Sequence, residues 1–210
     1  MASYFNYGLK EIDFLKKQDP VIGRAIDRIG PIERVVIPEI FPALIFNIIG
    51  QQISTKAAHT LWNRMTSRFG QVTPEAVMSV TEQEIQSFGM TLRKAVVIKA
   101  IASVVASGAL NLSDLSTLSD DEVIQKLTGL RGIGLWTAEM MLILCMERPD
   151  VLSWGDLAIR RGMSELYGLE NLTKSQFESY RKTYSPFGSV ASLYLWAISK
   201  ETSAKPVPTK

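Results

Sequence analysis

Three times along this chain a serine or threonine stands three residues ahead of a glutamate or glutamine, just before an apolar-periodic stretch. These are Thr81-x-x-Glu84, Ser119-x-x-Glu122 and Thr173-x-x-Gln176. Each matches a reciprocal capping box, in which the hydroxyl satisfies one orphan backbone N–H and the longer side chain satisfies another. Such devices mark helix starts, so they commit much of the chain to α-helix. The other punctuation agrees. Ile12, Leu15 and Lys16 begin one short stripe. Asp19-Pro20 then pairs a capping carboxylate with proline at the first helical position. Gly30-Pro31 ends the stripe of Ile22, Ile26 and Ile29. Pro42 to Ile49 reads as a buried helix, and Lys56 to Phe69 as an amphipathic one that stops at Gly70. Thr73-Pro74-Glu75 opens a short helix, Leu92 to Ser107 closes at Gly108, and further helices are expected over Leu157 to Tyr167 and Ser189 to Ser199. Val35-Val36-Ile37, ended by Pro38, is the one convincing strand-like run. The expected fold class is therefore all-α.

A chain of 210 residues accommodates one compact unit or two small lobes. We expect a central lobe over residues 39–150. A second lobe is expected from residues 1–38 together with 151–201, which leaves the Ser153–Asp156 junction in a cleft. Residues 202–210 carry two prolines and no stripe, and are expected to be a disordered tail. Net charge is only +2, from 23 Lys and Arg against 21 Asp and Glu, so a nucleic-acid surface would need uneven placement of charge. One Cys and one His rule out a zinc site built from those ligands and a four-cysteine iron–sulfur cluster. Cys145 lies in an apolar run and reads as a buried small hydrophobe. No signal peptide and no apolar run long enough for a membrane span is visible. The expectation is a protein that is not secreted and has no membrane partner. It would be cytoplasmic or nucleoid-associated, or nuclear in a eukaryote.

Chemistry concentrates near the middle. Leu130-Arg131-Gly132-Ile133-Gly134-Leu135-Trp136 reads as a tight glycine turn opening into a helix. Gly132 and Gly134 permit positive φ and close backbone approach, and the helix start offers N–H groups and a positive dipole end to an anion. An ordinary helical corner fits the same residues. Downstream, Asp156 stands at the mouth of the next helix. It could simply be an N-cap; backbone donors and the helix dipole also favour an anion there, able to stabilise developing positive charge. Trp136, Trp154 and Trp196 could stack on a nucleobase or fill the core. Gln51 and Gln52, two adjacent amides between helices, could enter a DNA stack or merely connect. His59 reads as a surface or half-buried helix residue. Lys56, Arg93, Lys94, Arg131, Arg160 and Arg161 could line one phosphate track or form a scattered solvated face.

In these segments the chain resembles the helix-hairpin-helix DNA glycosylase superfamily, and within it the 3-methyladenine DNA glycosylase II branch. The resemblance is carried by Ile48 to Ala58, by the hairpin Leu130 to Glu139, by Gly155 to Gly162 and by Ser189 to Trp196. It implies an all-α, two-lobed fold with the active site between the lobes, and it implies roles. By this resemblance Asp156 would be the catalytic aspartate, and Trp136, Met140 and Trp196 would form the base pocket. Gly132 and Gly134, with Arg131, Thr137 and Gln51, contact DNA, and Gln52 is the wedge that fills the gap left by an extruded nucleotide. Backbone carbonyls of Thr128, Leu130 and Ile133 would hold a structural monovalent cation, Na+ or K+, with no cofactor needed for catalysis. Bifunctional members carry a lysine where Trp136 stands, so the implied enzyme is monofunctional and leaves an abasic site. The expected partner is double-stranded DNA with a damaged base, bound by a monomer. Departures are Arg131 in place of a proline, Phe187-Gly188 in place of an aromatic followed by arginine, and Met140 in place of a tyrosine. The alternatives are a non-enzymatic DNA-binding module that uses the hairpin alone, and a glycosylase for an oxidised or deaminated base.

Overall fold

The computed structural model describes residues 2–203, with side chains through Glu201. In chain order the elements are β1 (Ser3–Tyr4), α1 (Leu9–Gln18), α2 (Pro20–Ile29), β2 (Val35–Val36), α3 (Ile40–Gly50), α4 (Thr55–Phe69), α5 (Pro74–Met78), α6 (Glu82–Ser87) and α7 (Leu92–Ala106). A 3-10 turn over Leu112–Thr117 follows, then α8 (Asp120–Thr128), α9 (Leu135–Leu144), α10 (Leu157–Tyr167), α11 (Lys174–Tyr184) and α12 (Gly188–Ser203). The fold is all-α, with one two-stranded ribbon among the described residues. Among the described residues no helix is long and apolar enough to cross a membrane. Of the segment expected to be disordered, 202–203 complete α12, and 204–210 lie outside the described residues.

The chain divides into two compact units, one formed by residues up to Val36 and from Glu147 onward, the other by Ile37–Met146. The sequence reading set the breaks at 38/39 and 150/151.

In the first unit, α10 lies directly on α12. Gly162 makes that approach possible, because a Cβ there would sit 2.0 Å from the carbonyl oxygen of Leu195. Leu15, Ile22, Ile159, Met163, Phe177 and Leu195 are fully buried, giving the hydrophobic drive for this packing. Asp19 caps α2 through Val21 N–H at 2.7 Å and accepts from the Tyr167 hydroxyl, which also bonds the Tyr184 hydroxyl. One carboxylate thus ties α2 to α10 and α11. Burial raises both phenols well above the usual tyrosine range. The ribbon pairs Ser3 with Val36 and Tyr4 with Val35, antiparallel.

In the second unit, α3 packs against α4, α7 and α9. Its mixture of Leu44, Ile45, Ile48 and Ile49, each at most 1% exposed, explains the unbroken apolar run in the sequence. Ser119 and Thr173 form complete capping boxes at the starts of α8 and α11. At Thr81 the expected box is half made: its hydroxyl accepts from Glu84 N–H, but the Glu84 carboxylate accepts from Arg68 Nε at 2.8 Å. A cationic donor outcompetes the backbone amide for that carboxylate. Cys145 is buried, as expected, and its thiol faces the Pro38 carbonyl.

Candidate functional site

Asp156 is positioned by the segment that precedes it. In the first unit, the stretch from Arg148 to Val151 is fastened along α12. Ser189 Oγ donates to the Arg148 carbonyl and accepts from Val151 N–H at 3.0 Å, and Ser192 Oγ donates to the Val151 carbonyl at 3.0 Å. Gly188 N–H adds a bond to Asp150 at 3.0 Å. Four residues after Leu152 the chain turns into α10, with Asp156 as its N-cap.

Oδ1 of Asp156 accepts from the N–H groups of Ala158 and Ile159, both at 2.9 Å, and from Trp196 Nε1 at 3.2 Å. The residue is 7% exposed. Three N–H donors on one oxygen solvate negative charge and fix the direction in which the carboxylate points. Trp196 is half-buried, and the Arg34 guanidinium covers one face of its ring, 4.9 Å from the centroid. Burial lowers the Arg34 pKa, opposed by attraction to Asp156, and its buried Nε has no hydrogen-bond partner. The acid, the indole and the guanidinium form one electrostatic unit. Trp154 belongs to the packing of the same unit. It meets buried Phe177 edge-on at 5.2 Å and carries the Arg160 guanidinium at 4.7 Å.

The second unit holds the remaining candidates. Between α8 and α9 the hairpin turn is closed by Leu130 N–H on Leu127 O at 3.0 Å and Ile133 N–H on Leu130 O at 3.1 Å. Gly132 sits at φ +85°, where a Cβ would also press on Val97 at 2.8 Å, so both conformation and space require glycine. The expectation for Gly134 is corrected. Its φ is −99° and nothing lies within 4 Å of a Cβ there, so neither strain nor crowding demands glycine. As the N-cap of α9 it simply brings no side chain to cap the helix start. Arg131 and Gly132 are exposed in the turn, and Trp136 is half-buried one residue into α9.

Two other readings change. Thr137 is 2% exposed and its Oγ1 accepts from Gln51 Nε2 at 3.1 Å, so its hydroxyl braces the protein and offers almost no accessible surface. Met140, also 2% exposed, is one of four consecutive fully buried residues of α9 and presents almost no surface to a base. Gln51 is likewise a brace, bonding the Gly132 carbonyl at 3.2 Å as well as Thr137. Beside it Gln52 is exposed at φ +58°. Gln51, Gln52, Arg93, Lys94, Val97 and Gly132 line a concavity of about 260 Å³. Lys94 does not join a phosphate track through its ammonium alone: Nζ donates to the carbonyls of Ile49 and Gln51 at 2.8 and 2.7 Å. Burial lowers its pKa.

Sequence reasoning missed Arg34 altogether. No local signal marks it, because its contacts lie at Asp156 and Trp196, far along the chain. Among the described residues no group of three or more His, Cys, Asp or Glu is arranged to hold a metal ion.

Residues 45–186 match the family model of the HhH-GPD superfamily base excision DNA repair proteins. The chain is 35% identical over 178 residues to DNA-3-methyladenine glycosylase 1 of Schizosaccharomyces pombe, covering 82% of this chain and 78% of that protein. Its structure is similar to that of the S. pombe 3-methyladenine DNA glycosylase Mag1 in complex with abasic DNA, with a TM-score of 0.82 and 31% identity, over 94% of this chain and 100% of the other. A DNA-3-methyladenine glycosidase from Bacillus halodurans superposes with a TM-score of 0.81 at 32% identity, over 97% and 95% of the two chains. A glycine hairpin and an aspartate N-cap, on an all-α scaffold matched across more than nine-tenths of its length, make this chain a member of the HhH-GPD superfamily of base excision DNA repair proteins.

Proposed function

We propose that the protein is a monofunctional DNA glycosylase that acts as a monomer on duplex DNA. It hydrolyses the N-glycosidic bond of alkylated purines such as 3-methyladenine, the first step of base-excision repair. The names of its relatives support the substrate class, and the abasic DNA bound by one of them supports the partner. The observation that carries the reading is Asp156, whose Oδ1 is fixed by two backbone donors and the Trp196 indole.

The damaged nucleotide leaves the stack at a cost of a few kcal/mol, and less where alkylation has weakened its pairing. Alkylation at N3 or N7 makes the base cationic, and an indole face attracts a cation by about 0.5–2 kcal/mol. As the C1′–N bond breaks, its electron pair goes to the departing base and the sugar gains oxocarbenium character. Asp156 stabilises that charge, in a geometry set before the reaction starts. Water then adds to C1′ and releases its proton to solvent, leaving an abasic site. Trp136 has no amine, so it cannot form the Schiff base that begins strand cleavage.

DNA is held through the main-chain amides at Gly132, Gly134 and the start of α9, with Gln52 as the wedge. The hairpin carbonyls of Thr128, Leu130 and Ile133 are the proposed ligands of a structural Na+ or K+. Neutral carbonyl oxygens suit a monovalent ion. Leu130 O already accepts from Ile133 N–H but has a second lone pair for a cation. The protein would work wherever chromosomal DNA is found.

The test is a duplex carrying one alkylated purine. Incubation should leave the damaged strand whole until hot alkali breaks it at the abasic site, and borohydride should trap no covalent adduct. Direct strand cleavage with a trapped adduct would refute monofunctionality. DNA binding without any alkali-labile site would favour a binding module.

A further inference from the structure

We propose that Lys94 is a positioning residue: it holds the peptide that leads into Gln52 and so presets the wedge. The inference rests on the reading of Gln52 as the side chain that enters the stack.

Helix α3 ends at Gly50, and its last carbonyls need partners. Ile48 O accepts from Gln51 N–H at 3.3 Å, and Gly50 O accepts from Ile53 N–H at 3.4 Å. Ile49 O and Gln51 O turn instead to Lys94 Nζ on α7, at 2.8 and 2.7 Å. The Gln51 carbonyl belongs to the peptide joining residues 51 and 52. Fixing that plane fixes the entry into Gln52, whose φ of +58° is uncommon for a residue other than glycine. Such a conformation persists where its surroundings hold it. The Gln51 side chain completes the frame by donating to the Gly132 carbonyl at 3.2 Å. The wedge loop is thereby indexed to the hairpin in the same unit, and both border one concavity. Two donors of the partly buried ammonium are spent on carbonyls, and burial lowers its pKa accordingly. A lysine serving only as a phosphate contact would stand in solvent.

The experiment uses a duplex with a tetrahydrofuran abasic analogue opposite 2-aminopurine. Fluorescence of the 2-aminopurine reports wedge insertion, and anisotropy of a distant label reports binding. Lys94→Met keeps the apolar stem and removes the donors, whereas Lys94→Arg restores two donors. We expect Lys94→Met to bind within about three-fold of wild type but to lose most of the fluorescence change. Lys94→Arg should recover it, and Lys94→Met should have no further effect in a Gln52→Ala background. Excision from an alkylated duplex should fall about ten- to a hundred-fold with Lys94→Met, as for a misplaced active-site element. An unchanged fluorescence response would overturn the proposal. So would binding and fluorescence lost in parallel, the sign of a phosphate contact or a damaged fold. If Gln52→Ala itself leaves the fluorescence intact, the wedge reading has failed. If Gln52→Ala abolishes the change and Lys94→Met does not, only the role of Lys94 has failed.

Discussion

Replacing Asp156 by asparagine and by alanine separates its two duties. Oδ1 accepts from Ala158 N–H, Ile159 N–H and Trp196 Nε1. An asparagine carbonyl can accept all three, and asparagine caps helices about as well as aspartate. Asp156→Asn should therefore stay within about 1 kcal/mol of wild type, a shift of about 2–4 °C in Tm for a protein of this size. Alanine loses the cap, worth about 1 kcal/mol, and leaves the part-buried indole N–H without its acceptor, worth about 1–3 kcal/mol. The combined loss is about 2–4 kcal/mol, a fall of about 4–16 °C. Chemistry should not follow stability. Both variants remove the charge that meets the oxocarbenium ion, so both should lose at least about a hundred- to a thousand-fold in single-turnover excision. Abasic duplex binding should survive in Asp156→Asn. The measurements are thermal melts by circular dichroism and single-turnover excision of an alkylated duplex. Equal melting of the two variants would refute the capping geometry. An asparagine variant that excises at the wild-type rate would refute the catalytic assignment.

Three further outcomes follow from the geometry. Gly162→Ala drives a Cβ to 2.0 Å from the Leu195 carbonyl oxygen, so α10 and α12 must separate; a loss of about 3 kcal/mol, read by urea denaturation, is expected, and a wild-type midpoint would contradict the packing. Gly132→Ala meets both φ +85° and Val97 at 2.8 Å; it should lose about 1–3 kcal/mol of stability and weaken duplex binding by titration, whereas Gly134→Ala, with open space around it, should cost less, about 0.5–1 kcal/mol for the change of N-cap residue. Arg34→Met removes a cation from one face of Trp196 and so should raise the preference for a cationic base, 7-methylguanine, over neutral hypoxanthine by about two- to ten-fold in kcat/KM; an unchanged ratio would show that Arg34 does not tune the indole.

Local signals carried much of this structure. Asp19, Ser119 and Thr173 announce helix starts because a cap acts over three residues, and each does so in the fold. The α10 bounds, Leu157–Tyr167, were legible because Asp156 opens the helix and Gly168, at φ +63°, closes it. What escaped notice depends on partners remote in sequence. The strand Ser3–Tyr4 is two residues long and exists only because Val35–Val36 lies alongside. Glu84 left its capping box for Arg68, which no local rule anticipates. Lys94 was visible only as a positive charge; its work on carbonyls 43 and 45 residues earlier required the fold. In α9 the unbroken apolar run hid which side chains would be buried, and Met140 proved to be core. Roles for Asp156 and Trp196 were suggested by family resemblance, while the hydrogen bond between them, 40 residues apart, required the fold.

The central claim is that the carboxylate at Asp156 drives release of an alkylated base. The most direct test incubates methylated duplex DNA with wild-type protein and Asp156→Asn side by side and separates the liberated bases by chromatography. The account predicts a 3-methyladenine peak from the wild type and none from the variant. No peak from a folded, DNA-bound wild type, or equal peaks from both, would contradict it.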